Sequence, residues 1–245
     1  MKIGFYLLII TAMISFLTMF ALQDSAYSEE EKRKLIKIII SAGRLWGEND
    51  AKIIHLGNGI KIEQAGMALN AQEGVYYTDS KVIEISGNVN FTRPGSKIRG
   101  DKVIVYPDRQ FGAWKGHVEF LQEKGSSTPG KDKMNKALKE GTVSLNCDAL
   151  EFYWGTNNTM AIAKGNVKAN QKDKYLYSDV VTYTEKPQKL LLEGNIRLGN
   201  EKGVNLSCDR LTLYIEEERI HAEGLPYQGG LLQIELPLKK VKSEK

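Results

Sequence analysis

Leu190-Leu191-Leu192-Glu193-Gly194-Asn195-Ile196-Arg197-Leu198 decides the fold. Apolar residues at 190, 192, 196 and 198 fall on one face of an extended chain, and a helical period of 3.6 would scatter them. The stretch therefore reads as a half-buried β-strand with a glycine-asparagine pair in its middle. That pair recurs. Gly87-Asn88-Val89, Gly116-His117-Val118, Gly165-Asn166-Val167 and Gly194-Asn195-Ile196 share the pattern Gly-[Asn/His]-[Val/Ile]. Their glycines are 29 (116 − 87), 49 (165 − 116) and 29 (194 − 165) residues apart. The middle interval is one period plus a 20-residue insertion, placed at 122–140. This segment carries Gly125-Ser126-Ser127-Thr128-Pro129-Gly130 and five lysines, which is loop chemistry. Gly57-Asn58-Gly59-Ile60 fits the same column one period earlier.

A second column keeps the same period. Ile98-Arg99-Gly100-Asp101-Lys102-Val103-Ile104-Val105-Tyr106 aligns with Leu145-Asn146-Cys147-Asp148-Ala149-Leu150-Glu151-Phe152-Tyr153. Leu176-Tyr177-Ser178-Asp179-Val180-Val181-Thr182-Tyr183 and Leu206-Ser207-Cys208-Asp209-Arg210-Leu211-Thr212-Leu213-Tyr214 follow. Each reads apolar, any, small, Asp, any, apolar, any, apolar, with a tyrosine near the end. Leu69 to Tyr76 is a weaker copy, and Ile40 to Trp46 weaker still. About six units result, beginning near 38, 67, 96, 143, 174 and 204. Val, Ile, Tyr and Phe fill the runs, as pleated surfaces favour. Turn residues separate them, and all six prolines lie in turns, in the insertion or in the tail. The chain is expected to be all-β, with 38–235 forming one domain.

Shared parity within equivalent runs predicts an inward face. Val103, Val105, Leu150, Phe152, Val181, Tyr183, Leu211 and Leu213 belong to it. Val89, Phe91, Val118, Phe120, Val167, Ile196 and Leu198 continue it.

Ile3 to Leu22 carries no charge and follows Met1-Lys2. Residues 1–28 read either as a signal peptide cut after Ala26-Tyr27-Ser28 or as an uncleaved membrane anchor. Both export the remainder. Residues 29–37 form a charged leader and 236–245 a charged tail. The 245 residues carry 34 Lys+Arg against 30 Asp+Glu, a net +4, too mild and too scattered for a nucleic-acid binder. Three histidines at 55, 117 and 221 have no metal-ligand spacing, and no cofactor or metal is expected.

The columns themselves invite chemistry. Cys147 and Cys208 share one column two units apart. At about 4.8 Å per strand they are at least roughly 10 Å apart, too far for a disulfide. Asp101, Asp148, Asp179 and Asp209 could suggest acid–base catalysis or calcium. Yet each copy holds a single Asp, whereas calcium loops cluster them. A lone Asp among apolar residues suits a side-chain-to-backbone bond at a bulge. No catalytic residue is assigned. The Gly-Asn column marks a twist or bulge.

The order and period of these motifs over about 38–224 resemble the LptA/OstA family of periplasmic lipopolysaccharide-transport proteins. Leu145 to Leu150, Ala161 to Val167 and Leu190 to Ile196 carry the likeness best. The resemblance implies a slightly open, twisted β-jellyroll of stacked antiparallel strands. It further implies a non-enzymatic, periplasmic role: carrying lipopolysaccharide from the inner to the outer membrane. An apolar groove, lined here by the fifteen inward residues named above, would hold the acyl chains. Implied partners are lipopolysaccharide or a similar envelope lipid and other jellyrolls of the transport bridge, namely the inner-membrane transporter complex and the outer-membrane translocon. Pairing would be edge to edge, including with copies of this chain, through the terminal units 38–46 and 225–235. An anchored, LptC-like subunit of the same pathway is the alternative that an uncleaved 1–28 would favour. A structural envelope repeat and a β-solenoid carbohydrate-active enzyme are the competing classes. The enzyme would need an acid, base and cation gathered in one or two units, whereas these acids recur in register.

Overall fold

The computed structural model describes residues 39–50, 52–64, 67–123, 141–154, 159–200, 205–215, 217, 219–224 and 233–237. The export segment 1–28, the leader 29–37, the insertion from 124 to 140 and the tail beyond 237 lie outside them, as do residue 38 and 225–232. The protein is all-β. Among the described residues the one helical element is a single 3₁₀ turn at Pro107–Arg109.

Among the described residues, fourteen strands form one antiparallel sheet. They are β1 (Ile39–Glu48), β2 (Ile53–Gln64), β3 (Met67–Ala71), β4 (Glu73–Tyr77), β5 (Val82–Arg93), β6 (Ser96–Tyr106) and β7 (Phe111–Gln122). Then come β8 (Val143–Tyr153), β9 (Met160–Gln171), β10 (Lys174–Thr184), β11 (Lys189–Asn200), β12 (Asn205–Tyr214), β13 (Arg219–Glu223) and β14 (Gln233–Pro237). Strand order follows chain order, except that β3 and β4, separated by Gln72, share one place between β2 and β5. A 29-residue interval therefore holds two strands. Where the described residues include the connection, turns are short, as at Pro94-Gly95 between β5 and β6: Gly95, at φ 77°, follows the fixed φ of proline as the left-handed residue of a type II turn.

The insertion starts later than its composition suggests. Gln122 is the last residue of β7, pairs with Ser96 and Val143, and is buried. Its polar side chain suggests a loop, but its register position beside Val143 carries it into the sheet.

Each long strand is bent once in its middle, at the two sequence columns. Two residues on one strand oppose a single residue on the next. Gly116-His117 face Asp148 between the pairs Lys115↔Ala149 and Val118↔Cys147. Gly194-Asn195 face Asp209 in the same way. Both bulge residues are left-handed: Gly165 and Asn166 have φ of 74° and 49°, Gly194 and Asn195 of 76° and 48°. Glycine enters this region freely and asparagine more readily than most residues, which explains the pair. In β2 the left-handed residues are Asn58 and Gly59, not Gly57. The column is thus offset by one there, and Asn58 lies 29 residues before Gly87.

The bend divides the sheet into two arms with facing inner surfaces. One arm carries the cross-strand row Ile62–Leu69–Phe91–Ile98–Phe120–Leu145–Ala169–Leu176–Leu198. The other carries Ile85–Val103–Trp114–Leu150–Ala163–Val181–Leu192–Leu211. Both rows belong to one core cluster. With all the strands in a single sheet, each arm is covered by the other, giving an open β-jellyroll. Alanines at 161, 163 and 169 sit between larger cross-strand neighbours, Phe152 and Tyr183, Leu150 and Val181, Leu145 and Leu176. Each row thus narrows once, at β9, where small residues let the larger neighbours on β8 and β10 pack closely.

Candidate functional site: the inner face and its open end

The corner is built from both columns at once. Asn166 Nδ2 donates to Asp148 Oδ2 at 2.9 Å, and Asn195 Nδ2 donates to Asp179 Oδ2 at 2.8 Å. His117 takes the asparagine position in β7 and meets Asp101 Oδ2 through Nδ1 at 2.8 Å. The carboxylates also fill the space above the bulge glycines: a Cβ on Gly165 would lie 2.8 Å from Cγ of Asp148. Gln72 replaces the aspartate over Gly87, so the weaker copy at 69–76 keeps the geometry with a different side chain. The small column lies on the inner side of the same corner. Gly100, Cys147, Ser178 and Cys208 stand opposite Val89, Val118, Val167 and Ile196. Bulk on one strand is matched by its absence on the next. Asp101, Asp148 and Asp179 are therefore committed to holding the bend, with their oxygens directed at amide and imidazole donors.

Two predictions arise at the corner. The hydrogen bond to Asp101, and then its charge, raise the pKa of the exposed His117 imidazole above its ordinary value. The raised folded-state value means the contact favours folding at low pH and that this contribution is lost as pH rises through it. An NMR titration should show the elevated midpoint, Asp101→Asn should bring it back towards the ordinary value, and His117→Asn should leave the fold intact. Burial pushes the Cys147 thiol up to about 12 and the Cys208 thiol up to about 11, from 9.0. Both cysteines are free and lie four strands apart. A thiol reagent should label neither until the protein unfolds. Unfolded thiols ionise first, so stability should fall as pH climbs from about 9 towards 12.

All fifteen inward-predicted residues lie in the core cluster or pack against it, with Phe91 and Val105 half-buried and the others buried. Their surroundings divide the molecule. From β8 to β12 the interior is closed: Val181, Tyr183, Leu190 and Leu192 are 0% exposed. Towards β1 it opens. A cavity of about 290 Å³ lies between the arms, lined by Ile62, Leu69, Phe91 and Ile98 from one and Ile83, Ile85, Val103, Val105 and Trp114 from the other, with Met67 and Ala68 beside them. Among the fifteen, Phe91, Val103 and Val105 line it. Sequence reasoning missed the remaining lining residues, because Gln72 hides the aspartate column in the unit that supplies Leu69. Ile98 and Ile85 carried a usable signal, since each lies opposite a named residue, Phe91 or Val103.

Among the described residues the strand order ends at β1 on one side and β14 on the other, each paired along one edge. On β1, Ile40 and Leu45 extend the inner rows past Ile62 and Leu56, yet they are 56% and 68% exposed. The outer surface of this edge is plated instead: Trp46 stacks on His55 at 4.8 Å, and the Arg44 guanidinium lies over Trp46 at 4.8 Å. Elsewhere the outer face carries cross-strand ion pairs such as Lys164–Glu151 at 2.7 Å. The arrangement is an apolar trough with a polar outside, closed over its later strands and open at its first.

No known family model and no curated protein matches this chain. Among solved structures it is similar to the crystal structure of LptH, described as the LptA-homologous periplasmic component of the conserved lipopolysaccharide transport device of Pseudomonas aeruginosa. The identity is 12%, the match covers 82% of this chain and 96% of that one, and the TM-score is 0.33.

Proposed function

We propose that this protein is a non-enzymatic, periplasmic lipid carrier that takes the acyl part of lipopolysaccharide, or of a similar envelope lipid, into the trough and passes it towards the outer membrane. The observation that carries the reading is the apolar cavity between the arms, bordered by Ile62, with the exposed Ile40 of the edge strand paired beside it. An acyl chain in water is disfavoured by about 0.8 kcal/mol per CH₂, so crossing an aqueous gap calls for such a sheath. The terminal strands support edge-to-edge pairing with other jellyrolls, since an unpaired strand edge is a template for an added strand. Along the described corners the aspartates hold structure, which leaves the trough as the functional surface.

A photo-crosslinking amino acid at Phe91 should capture lipopolysaccharide in cells, whereas one at Tyr177, on the outer face, should not. Equal capture at both positions, or none at Phe91 in a folded and exported protein, would overturn the reading.

A further inference from the structure

We infer that the protein accommodates one unbranched hydrocarbon chain of about twelve carbons at a time, in its β2–β7 half only. The inference rests on the lipid-carrier reading and sets its ligand capacity. Three observations carry it.

The first is volume. An apolar cavity of about 150 Å³ holds one benzene, six carbons. At that filling the 290 Å³ cavity holds about twelve. The second is closure. The chain cannot run deeper between the arms than Trp114, because Leu150, Ala163, Val181 and Leu192, the next residues of that row, are at most 1% exposed, and surplus carbons stay outside the cavity. Packed interiors do not yield space without rearrangement. The third is the chemistry of the lining. Every residue around the cavity is apolar, so a headgroup finds no hydrogen-bond partner there and must stay outside. The chain therefore enters tail first. Ile40 of β1 is paired with Ile62 but is not among the residues around the cavity, so the part of the lipid that remains outside gains no enclosed apolar contact there. A lipid with several acyl chains leaves all but one of them outside this cavity.

Trp114 lines the cavity and reports on it. The full-length protein is titrated with saturated fatty acids of 8 to 18 carbons, competing against a bromine-labelled fatty acid that quenches Trp114. Trp114→Phe serves as the control for the signal. Affinity should rise about fourfold per added CH₂ up to about twelve carbons and then level off, with one chain bound per protein. A rise that continues to 18 carbons, or two chains bound, would overturn the inference. Val105→Trp should fill the cavity and abolish binding, with thermal unfolding used to check that the variant is folded. Ile85→Phe is the second variant should the first not fold, and should shorten the break point by several carbons; an unmoved break point would overturn the assignment to this cavity. Purified lipopolysaccharide as competitor separates the two readings. If it fails to displace the fatty acid while the length break stands, the carrier role falls and the capacity remains. If it displaces the fatty acid but no break appears, the capacity falls and the carrier role remains.

Discussion

Replacing Gly165 by valine should leave no folded protein at room temperature, and Gly165→Ala should lower stability by about 3 kcal/mol or more. Two effects add. Gly165 has a φ of 74°, which disfavours an ordinary residue by about 1–2 kcal/mol and a β-branched one by more. The new Cβ would also lie 2.8 Å from Cγ and 2.9 Å from Cβ of Asp148, so the aspartate must leave its position and give up its bond from Asn166. Denaturant unfolding of Gly165→Ala, Asp148→Ala and the double variant would separate the two. The part due to the carboxylate should vanish in the double variant, leaving the backbone part and the 2.9 Å approach of the residue-148 Cβ, which alanine keeps. A fully stable Gly165→Val protein would show that the corner does not need its glycine. The same substitution at Gly59 meets no atom within 4 Å and should retain only the backbone effect.

Phe152→Asp should abolish folding, because Phe152 is 3% exposed and packs in the closed half. A carboxylate there has no route to water, and burying one unpaired is disfavoured by several kcal/mol on top of the lost aromatic packing. Phe152→Ala should cost about 3–5 kcal/mol and Leu192→Ala about 2–5 kcal/mol, as large-to-small changes in tight cores do. Leu69→Ala, which borders the cavity, should cost about 1–2 kcal/mol, since Leu69 is only half-buried and its loss enlarges a space already present. Equilibrium unfolding of the four variants tests this asymmetry. Equal losses for Leu69→Ala and Leu192→Ala would mean that the two halves are packed alike.

The fold class, the strand direction of the apolar residues and the place of the bend were legible in the sequence, because each is set by local chemistry. A period of two fixes which side chains share a face. Glycine followed by asparagine marks two consecutive left-handed residues, and a single aspartate 14 or 15 residues on, or 32 across the insertion, marks the neighbouring corner. The arithmetic works since every unit repeats the same bend. It weakens where a different residue does the same job, as Gln72 does for aspartate and Asn58-Gly59 does for glycine-asparagine. The pairing of the aspartate column with the asparagine column was not legible, because the partners are 16 to 18 residues apart and meet only across a strand register.

Which part of the apolar face is solid and which part is open was decided by tertiary structure alone. Val103 and Leu150 flank Trp114 in one row and occupy equivalent positions of their repeats, yet one borders the cavity and the other is sealed. Alternation states that both point inward. Whether anything meets them there depends on how far the opposite arm stands away and on whether another strand follows at the edge. The alanines of β9 lie amid the larger side chains of the closed half, and among the described residues no strand lies beyond β1 at the other end. Separation between arms is a sum over many side-chain volumes and the accumulated twist of the strands, and no single position in the sequence carries it.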